Sequence, residues 1–460
     1  MRVKSSTVHA IPGLHSLRAH ERVVLHVDSR RARYLGAFAL AGTACWLFAV
    51  LAHAGRLGWS LTILAAAVFV VRGICLGRPV TTLHAAAAGA LLVAGLAAHV
   101  LALELLGELT IAAAGLALMW PTAARPQPAD LPRVWALIDA TSNDPLAPFT
   151  MQAGKCYHFD VTGAAALAYR TRFGFAVVAG DPIGDERRFR HLVVDFAAMC
   201  HTYGWRMVVV GCSERRLGLW ESAEVGQSLH AIAIGRDVVV DATTFDLAGR
   251  KFRNLRQAVS RTYNRGITTE IVNERELVPR LRRELATVLR ASPKGAHCDR
   301  GFCMNLDGVL EGRYPGAQLI IARDATGTVQ GFHRYATAGG GKDLTLDVPW
   351  RRRGAPNGID ERLSVDMIIA ARAVGAQRVS LAFAAFADLF ADDRRGWARQ
   401  CGYALLHLLD PFIALESLAR YVRKFHALDA RRYALVTLTQ VVPLMFVLLS
   451  LEFMPRRRRL

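Results

Sequence analysis

The stretch from Tyr34 to Trp120 constrains this chain more than any other part of it. It is built of Ala, Leu, Val, Gly and Phe with only scattered charges. A helix that crosses a bilayer needs roughly 20 apolar residues, so the stretch has room for about four. The spacing places them at Tyr34–Ala54, Leu57–Ile74, Val80–His99 and Leu103–Trp120. Arg30, Arg31 and Arg33 precede the first, Arg72 and Arg78 flank the second loop, and Arg125 and Arg133 follow the fourth. The third loop carries Glu104 and Glu108 instead. By the positive-inside rule, the N-terminus and everything after Trp120 then lie in the cytoplasm. The apolar stretch starts too late, and lacks the cleavage site, for a secretory signal.

A second apolar run, Tyr433–Met454, is followed by Arg456–Arg459. If it crossed the bilayer, four arginines would land on the outside. Pro443 also falls mid-segment, where it removes a helix hydrogen bond. A helix lying in the interface, with its arginines on anionic headgroups, removes both conflicts; a fifth span is the alternative.

Hydrophobic residues make up 52% of the 460, yet Lys and Arg outnumber Asp and Glu by 57 to 38. With the apolar residues concentrated in the anchor, the remainder is a basic water-soluble part suited to anionic partners. The Pro-rich run 121–132 is its natural boundary. Beyond it, strand and helix patterns alternate as in an α/β or α+β fold. Strands are expected at Phe175–Ala179, Arg206–Val210, Leu229–Ile234 and Asp237–Asp241, with helices at Arg187–Tyr203 and Lys251–Arg265. The order then repeats in kind: a helix at Glu274–Leu289, a hairpin of Gln318–Arg323 and Val329–Ala336, a strand at Leu344–Val348, a helix at Ile359–Val374 and a strand at Arg378–Phe383. The expected organisation is a cytoplasmic segment 1–33, a membrane region 34–120, the linker 121–132, two similar subdomains at 133–275 and 276–432, and a C-terminal apolar helix with a basic tail at 433–460. The eight cysteines form no disulfide pattern and no spaced zinc-ligand pairs, which suits buried thiols in a reducing compartment.

Four features carry chemistry. Gly180-Asp181-Pro182-Ile183-Gly184 follows a strand, and such a turn either aims backbone N–H groups at an anion or is structural. Between Arg250 and Arg261, helical spacing gathers Arg253, Arg256 and Ser260 opposite an apolar face of Phe252, Leu255 and Val259. No acidic partner interrupts this cationic face, so it suits phosphate. Asp347 and Arg351–Arg353 end a strand, and Glu361 begins the next helix; such a set forms surface ion pairs, or supplies a base and an anion clamp. Lys424 is open between headgroup contact and catalysis. There is no nucleophile elbow, Walker loop, dinucleotide fingerprint or metal motif, so direct transfer between two bound substrates is what an enzyme of this sequence would perform.

These residues, in order, resemble the phosphatidylglycerol lysyltransferase (multiple peptide resistance factor) family. The likeness runs through Ala168-Tyr169-Arg170, the GDPIG turn, Phe245–Arg261, Asp299–Phe302, Leu346–Glu361, Val379–Phe386 and Ala414–Tyr433, and it covers about 300 residues. The resemblance implies an α/β (α+β) fold of tandem acetyltransferase-like (GNAT-type) domains attached to the membrane region. It implies transfer of an aminoacyl group from aminoacyl-tRNA to the glycerol hydroxyl of phosphatidylglycerol at the inner membrane face, with no cofactor. By the motif match, Asp347, Arg351 and Lys424 would be catalytic. Tyr169, Arg170, Gly180, Asp181, Gly184, Arg253, Arg256, Glu361 and Arg432 would bind substrate. The chain departs from the family where Asp347-Val348-Pro349-Trp350 replaces Asp-Leu-Met-Arg, moving the arginine to Arg351. It departs also at Ala382, at Arg236, and after Lys424-Phe425, where Pro and Trp are missing. Two other functions stay open: an acyltransferase of the same fold with another donor or lipid acceptor, and a non-catalytic membrane protein that binds anionic lipid or RNA.

Overall fold

The computed structural model describes residues 78–292, 305–385 and 421–453, together with Phe302 and short pieces or single positions before residue 78 and near residues 298 and 456. The chain divides into two compact units. The first comprises 1–125, 170–176 and 194–207, and the second 126–169, 177–193 and 208–460.

In the first unit, helices α1 (Thr82–Val100) and α2 (Glu104–Leu118) form a hairpin. Its turn is tight because Gly95 and Gly107 let the backbones meet. A Cβ on Gly95 would lie 2.8 Å from Thr110 Oγ1, and one on Gly107 3.1 Å from the Gly95 carbonyl. Small residues at such crossings are how apolar helices associate when no hydrophobic gain separates them from their surroundings. Leu92, Val93, Leu96, Leu105 and Leu109 point outward and are exposed. α1 is the one helix among the described residues that is long and apolar enough to cross a membrane. α2, at 15 residues, reaches only about 22 Å, short of a ~30 Å hydrocarbon core. The expected spans Tyr34–Ala54 and Leu57–Ile74 lie largely outside the described residues. The foot of the hairpin is pinned by polar contacts: Trp205 Nε1 donates to the Thr122 carbonyl at 2.9 Å, and the Ala124 N–H donates to Thr171 Oγ1 at 2.8 Å.

Residues 156–436 contribute to one mixed sheet. Its strands are β1 (Cys156–Phe159), β2 (Ala165–Arg172), β3 (Phe175–Ala179), β4 (Ile183–Gly184), β5 (Arg206–Ser213) and β6 (His230–Asp241), followed by β7 (Thr268–Asn273), β8 (Ala317–Arg323), β9 (Val329–Ala338), β10 (Asp343–Arg351), β11 (Arg378–Ala385) and β12 (Leu428–Val436). The order across the sheet is β1-β2-β3-β5-β12-β6-β11-β10-β9-β8-β7, with β4 beside β2. The last strand of this sheet in chain order is therefore threaded between two strands that precede it by 190 residues or more. Helices α3 (Leu131–Ala140), α4 (Phe189–Thr202), α5 (Arg253–Tyr263), α6 (Pro279–Ala291) and α7 (Ile359–Ala373) accompany the sheet, and α8 (Val441–Phe453) follows it.

Most expected elements are found within a few residues. Two differ in kind. The strands expected at 229–234 and 237–241 are one 12-residue strand, β6. Gly235 reads as a break but serves a close approach, since a Cβ there would lie 2.4 Å from the Ala384 carbonyl of β11. The apolar run from Tyr433 opens as strand, not helix, and α8 starts only at Val441. Pro443 thus falls in the first helical turn, where no intrahelical bond is lost. Strands β1, β2, β7 and β12 carried no recognised pattern.

Three apolar cores stand out among the described residues. One lies under α3, with Ile138, Phe149 and Tyr157. The other two lie on opposite faces of the second half of the sheet: Leu285, Leu319 and Phe332 under α6, and Leu255, Ile320 and Leu363 under α5 and α7. β10 and β11 are parallel, but they pair only at Asp343–Thr345 against Arg378–Ser380. Beyond that, β10 follows β9 to Arg351 and β11 follows β6 to Ala385, so the two strands part. α7 leaves the sheet from the β10 side of this fork.

Candidate active site

The first turn of α7 gathers charge. Gly358, at φ +97°, caps the helix, and a Cβ there would lie 2.4 Å from the Ala258 carbonyl, so α7 starts hard against α5. Asp360 and Glu361 follow, where acidic side chains are favoured by the positive end of the helix dipole. Each meets a cation from elsewhere in the sequence. Arg351 Nη1 lies 3.4 Å from Asp360 Oδ2, and Lys424 Nζ bonds Glu361 Oε1. The cations are the accessible members: the Arg351 and Lys424 side chains are 50% and 37% exposed, against 22% and 10% for Asp360 and Glu361. The carboxylates hold and the cations face outward. The Lys424 turn is itself docked on the start of α5, where His426 Nε2 lies 3.0 Å from the Lys251 carbonyl. Arg253 is exposed on that same helix.

Asp347 is placed differently. Two residues of β10 stand opposite Arg334 of β9 in a β-bulge, and the Asp347 side chain turns inward to an ion cluster. Arg334, fully enclosed, donates to Asp347 Oδ2 at 3.2 Å and to Glu274 Oε2 at 2.7 Å, while the Leu306 N–H donates to Asp347 Oδ1 at 2.9 Å. Burial pushes the Asp347 carboxyl up to about 6, against the opposing pull of Arg334.

Asp181 and Arg432 do come together, in a second buried cluster. Arg432 of β12 donates to Asp144 Oδ1 at 2.7 Å, Asp237 Oδ2 at 2.8 Å and Asp181 Oδ2 at 3.2 Å, and to the Gly211 carbonyl at 3.1 Å. Burial raises Asp237 to about 6, and burial with Asp144 nearby raises Asp181. The Gly180–Gly184 turn therefore points its carboxylate into the protein. Gly180, at φ +78°, donates to the Val210 carbonyl at 2.8 Å. Gly184 donates to Thr141 Oγ1 at 2.9 Å, and at φ +99° a Cβ there would lie 2.2 Å from the Ala164 carbonyl. Gly184→Ala is accordingly expected to cost at least about 2 kcal/mol of stability, read as a lowered melting temperature of the purified protein.

Of the remaining candidates, Tyr169 is fully buried in β2 and Arg170 half-buried beside it. Arg256 turns back on its own loop, bonding the carbonyls of Leu247 and Gly249. Ala382, Asp299 and Arg300 lie outside the residues whose side chains are described. The structure thus joins Arg351, Lys424 and Glu361 at one place, Asp181 and Arg432 at a second, and Asp347 at a third. Sequence reasoning missed Asp144, Asp237, Glu274, His333, Arg334 and Asp360. The signal for two of them was available. His333-Arg334 is a polar dipeptide inside a strand buried on both faces, so alternation sends one side chain to each side of the sheet. An open cleft of about 610 Å3 lies elsewhere, along β12 between Asn143, Asp241, Arg378 and Asp429.

The raised carboxyls set a pH dependence. A carboxyl whose folded value is lifted from about 4 to about 6 favours the folded state when protonated. Its contribution is present below about pH 4 and lost as the pH rises to about 6, by roughly 2–3 kcal/mol per group. Asp237→Asn removes one such group. Relative to wild type, this variant is expected to gain about that much stability between pH 4 and pH 7, as measured by chemical denaturation across the range.

Residues 135–436 match the family model described as phosphatidylglycerol lysyltransferase, C-terminal. An MprF-like domain protein of Mycobacterium tuberculosis is 67% identical over 100% of this chain and 96% of its own length. The lysylphosphatidylglycerol biosynthesis bifunctional protein LysX of Mycobacterium avium is 29% identical over 65% of the chain, which spans only 25% of that relative. Among solved structures, the C-terminal domain of a putative lysylphosphatidylglycerol synthetase from Agrobacterium fabrum matches with a TM-score of 0.61 at 22% identity, covering 72% of this chain and 100% of that one. L-PGS from Bacillus licheniformis matches with a TM-score of 0.60 at 17% identity, covering 71% and 96%. At these identities the two structures speak for a shared fold, and the sequence matches speak for kinship. The chain belongs to the phosphatidylglycerol lysyltransferase C-terminal family.

Proposed function

We propose that this protein is a membrane-bound aminoacyltransferase that moves an aminoacyl group from aminoacyl-tRNA to the hydroxyl of phosphatidylglycerol or a related anionic lipid. The observation that carries the reading is the pair of exposed cations, Arg351 and Lys424, each held by a carboxylate on the first turn of α7. Transfer between two esters needs no redox group and no covalent enzyme intermediate. The lipid hydroxyl oxygen attacks the ester carbonyl carbon, the ribose oxygen leaves, and the hydroxyl proton passes to it. The developing oxyanion and the two phosphate-bearing substrates need fixed positive charge. Arg351 and Lys424 supply it, and Arg253 adds a cation for phosphate on the neighbouring helix. Glu361 orients Lys424. Asp347 acts from below, fixing the β10 bulge four residues before Arg351.

In this reading the soluble part is a tandem of acetyltransferase-like subdomains near 133–275 and 276–432, with the C-terminal strand returned to the first. The apolar N-terminal region anchors it in the cell membrane, facing the cytoplasm. α8, with 13 residues, spans only about 20 Å. Its exposed Val442, Met445 and Phe446 suit a helix lying in the interface, with Arg456–Arg459 on anionic headgroups.

The test is lipid mass spectrometry on cells with and without the protein. A new aminoacylated phosphatidylglycerol is expected with the wild type and absent with the Lys424→Ala variant. An unchanged lipid profile with the wild type would contradict the proposal.

A further inference from the structure

Beneath Arg351 and Lys424 lies a polar chain that the transfer chemistry does not itself require. β9 turns His333 toward α7, and α7 carries Asp360 and Ser364 four residues apart, hence one above the other on the same face. The imidazole bridges them. His333 Nε2 lies 3.1 Å from Asp360 Oδ1, and Nδ1 lies 3.4 Å from Ser364 Oγ. Two phenols close on the same serine: Tyr335 OH at 3.2 Å, and Tyr421 OH in a short contact. His333, Ser364 and Tyr335 are fully buried in an otherwise apolar core.

With a neutral imidazole, one assignment of protons serves the whole chain. Asp360, facing Arg351, accepts, so His333 donates from Nε2. The neutral ring then accepts at Nδ1, and the Ser364 hydroxyl donates to it. Ser364 Oγ keeps two lone pairs, one for each phenol. Burial holds both tyrosines in the protonated, donating form. The opposite tautomer would set a lone pair of Nε2 against a carboxylate oxygen. Donation therefore runs one way, from Tyr335 and Tyr421 through Ser364 and His333 to Asp360, whose other oxygen meets Arg351. Tyr421 lies three residues before Lys424, so the same chain ties the Lys424 turn to α7.

We propose that His333 and Ser364 are positioning residues of the transferase site. They fix the Asp360 carboxylate that holds Arg351 and, through Tyr421, lock the Lys424 turn to the same helix. This rests on the function proposed above. Fixing the partner of a substrate-facing cation matters because small misplacements of such a group are costly to the reaction.

The experiment compares wild type, His333→Gln, His333→Asn and Ser364→Ala as purified full-length protein. Each is assayed with aminoacyl-tRNA and phosphatidylglycerol vesicles for kcat, KM and melting temperature. Gln places its amide where Nε2 stood and keeps the bond to Asp360; Asn places its amide at Nδ1 and loses it. Expected are kcat within about threefold of wild type for Gln, and at least about tenfold lower for Asn, at similar melting temperatures. Ser364→Ala is expected between the two. Equal activity of the Gln and Asn variants, or losses that simply follow their melting temperatures, would overturn the proposal. Nitrogen-15 spectra of histidine-labelled protein give a readout independent of turnover. A neutral Nε2–H tautomer for His333 is expected, and an Nδ1–H tautomer would overturn the network. Wild type without turnover but with the Nε2–H tautomer would refute the function and leave the hydrogen-bond chain standing.

Discussion

Replacing Lys424 by Ala is expected to reduce aminoacyl transfer by about two to three orders of magnitude while leaving the protein folded. The two effects separate because of where the side chain sits. Its ion pair with Glu361 is more than a third exposed on the lysine side, and pairs of that kind contribute about 1 kcal/mol or less to stability. A fixed cation at a developing oxyanion is worth far more to the rate, and loss of one such donor costs roughly 100- to 1000-fold. Transfer rate and melting temperature measured on the same preparation check this. A variant that keeps its rate removes Lys424 from the chemistry. Equal falls in rate and stability would make it structural.

The Arg432→Ala variant is expected to show the reverse pattern, with loss of the folded protein itself. This guanidinium is the cation shared by Asp144, Asp181 and Asp237, which come from three separate parts of the chain. Removing one partner of a buried pair typically costs 3–5 kcal/mol, against a total stability of roughly 5–15 kcal/mol for a domain. Among the described residues, no other cation pairs with these three carboxylates. The threaded strand β12 would also lose its ties to β6 and to the Gly180–Gly184 turn. Soluble yield and melting temperature should collapse at neutral pH. They should recover in part near pH 5, where protonation relieves the carboxylates. A variant as stable as wild type at pH 7 would mean that the cluster is not what holds the strand.

Legibility followed the physics of each element. β3 and α7 were readable almost to the residue, because an apolar run bounded by turn residues and a helical stripe are local signals. β12 was not. It carries Asp429, Arg431 and Arg432, and it holds its place by pairing with β5 and β6, 190 residues or more back along the chain. In the site, spacing grouped Arg351 with Glu361 and only the family resemblance added Lys424, and the first turn of α7 brings the three together. Asp347 looked like their companion because it lies four residues from Arg351. The bulge sends its side chain to Arg334 instead. Arg256 looked like a phosphate ligand by helical spacing, but two carbonyls of its own loop hold it. Spacing reports the face of an element, not what the fold has laid against that face.

The most direct test is a reconstituted transfer. Purified full-length protein is mixed with vesicles containing phosphatidylglycerol and with tRNA charged with a radiolabelled amino acid, and the label entering the lipid phase is followed. The proposed function requires time-dependent labelling of the lipid, abolished by prior ribonuclease treatment and by Lys424→Ala. Labelled lipid that still forms after ribonuclease treatment, or no labelled lipid with any charged tRNA, would contradict it.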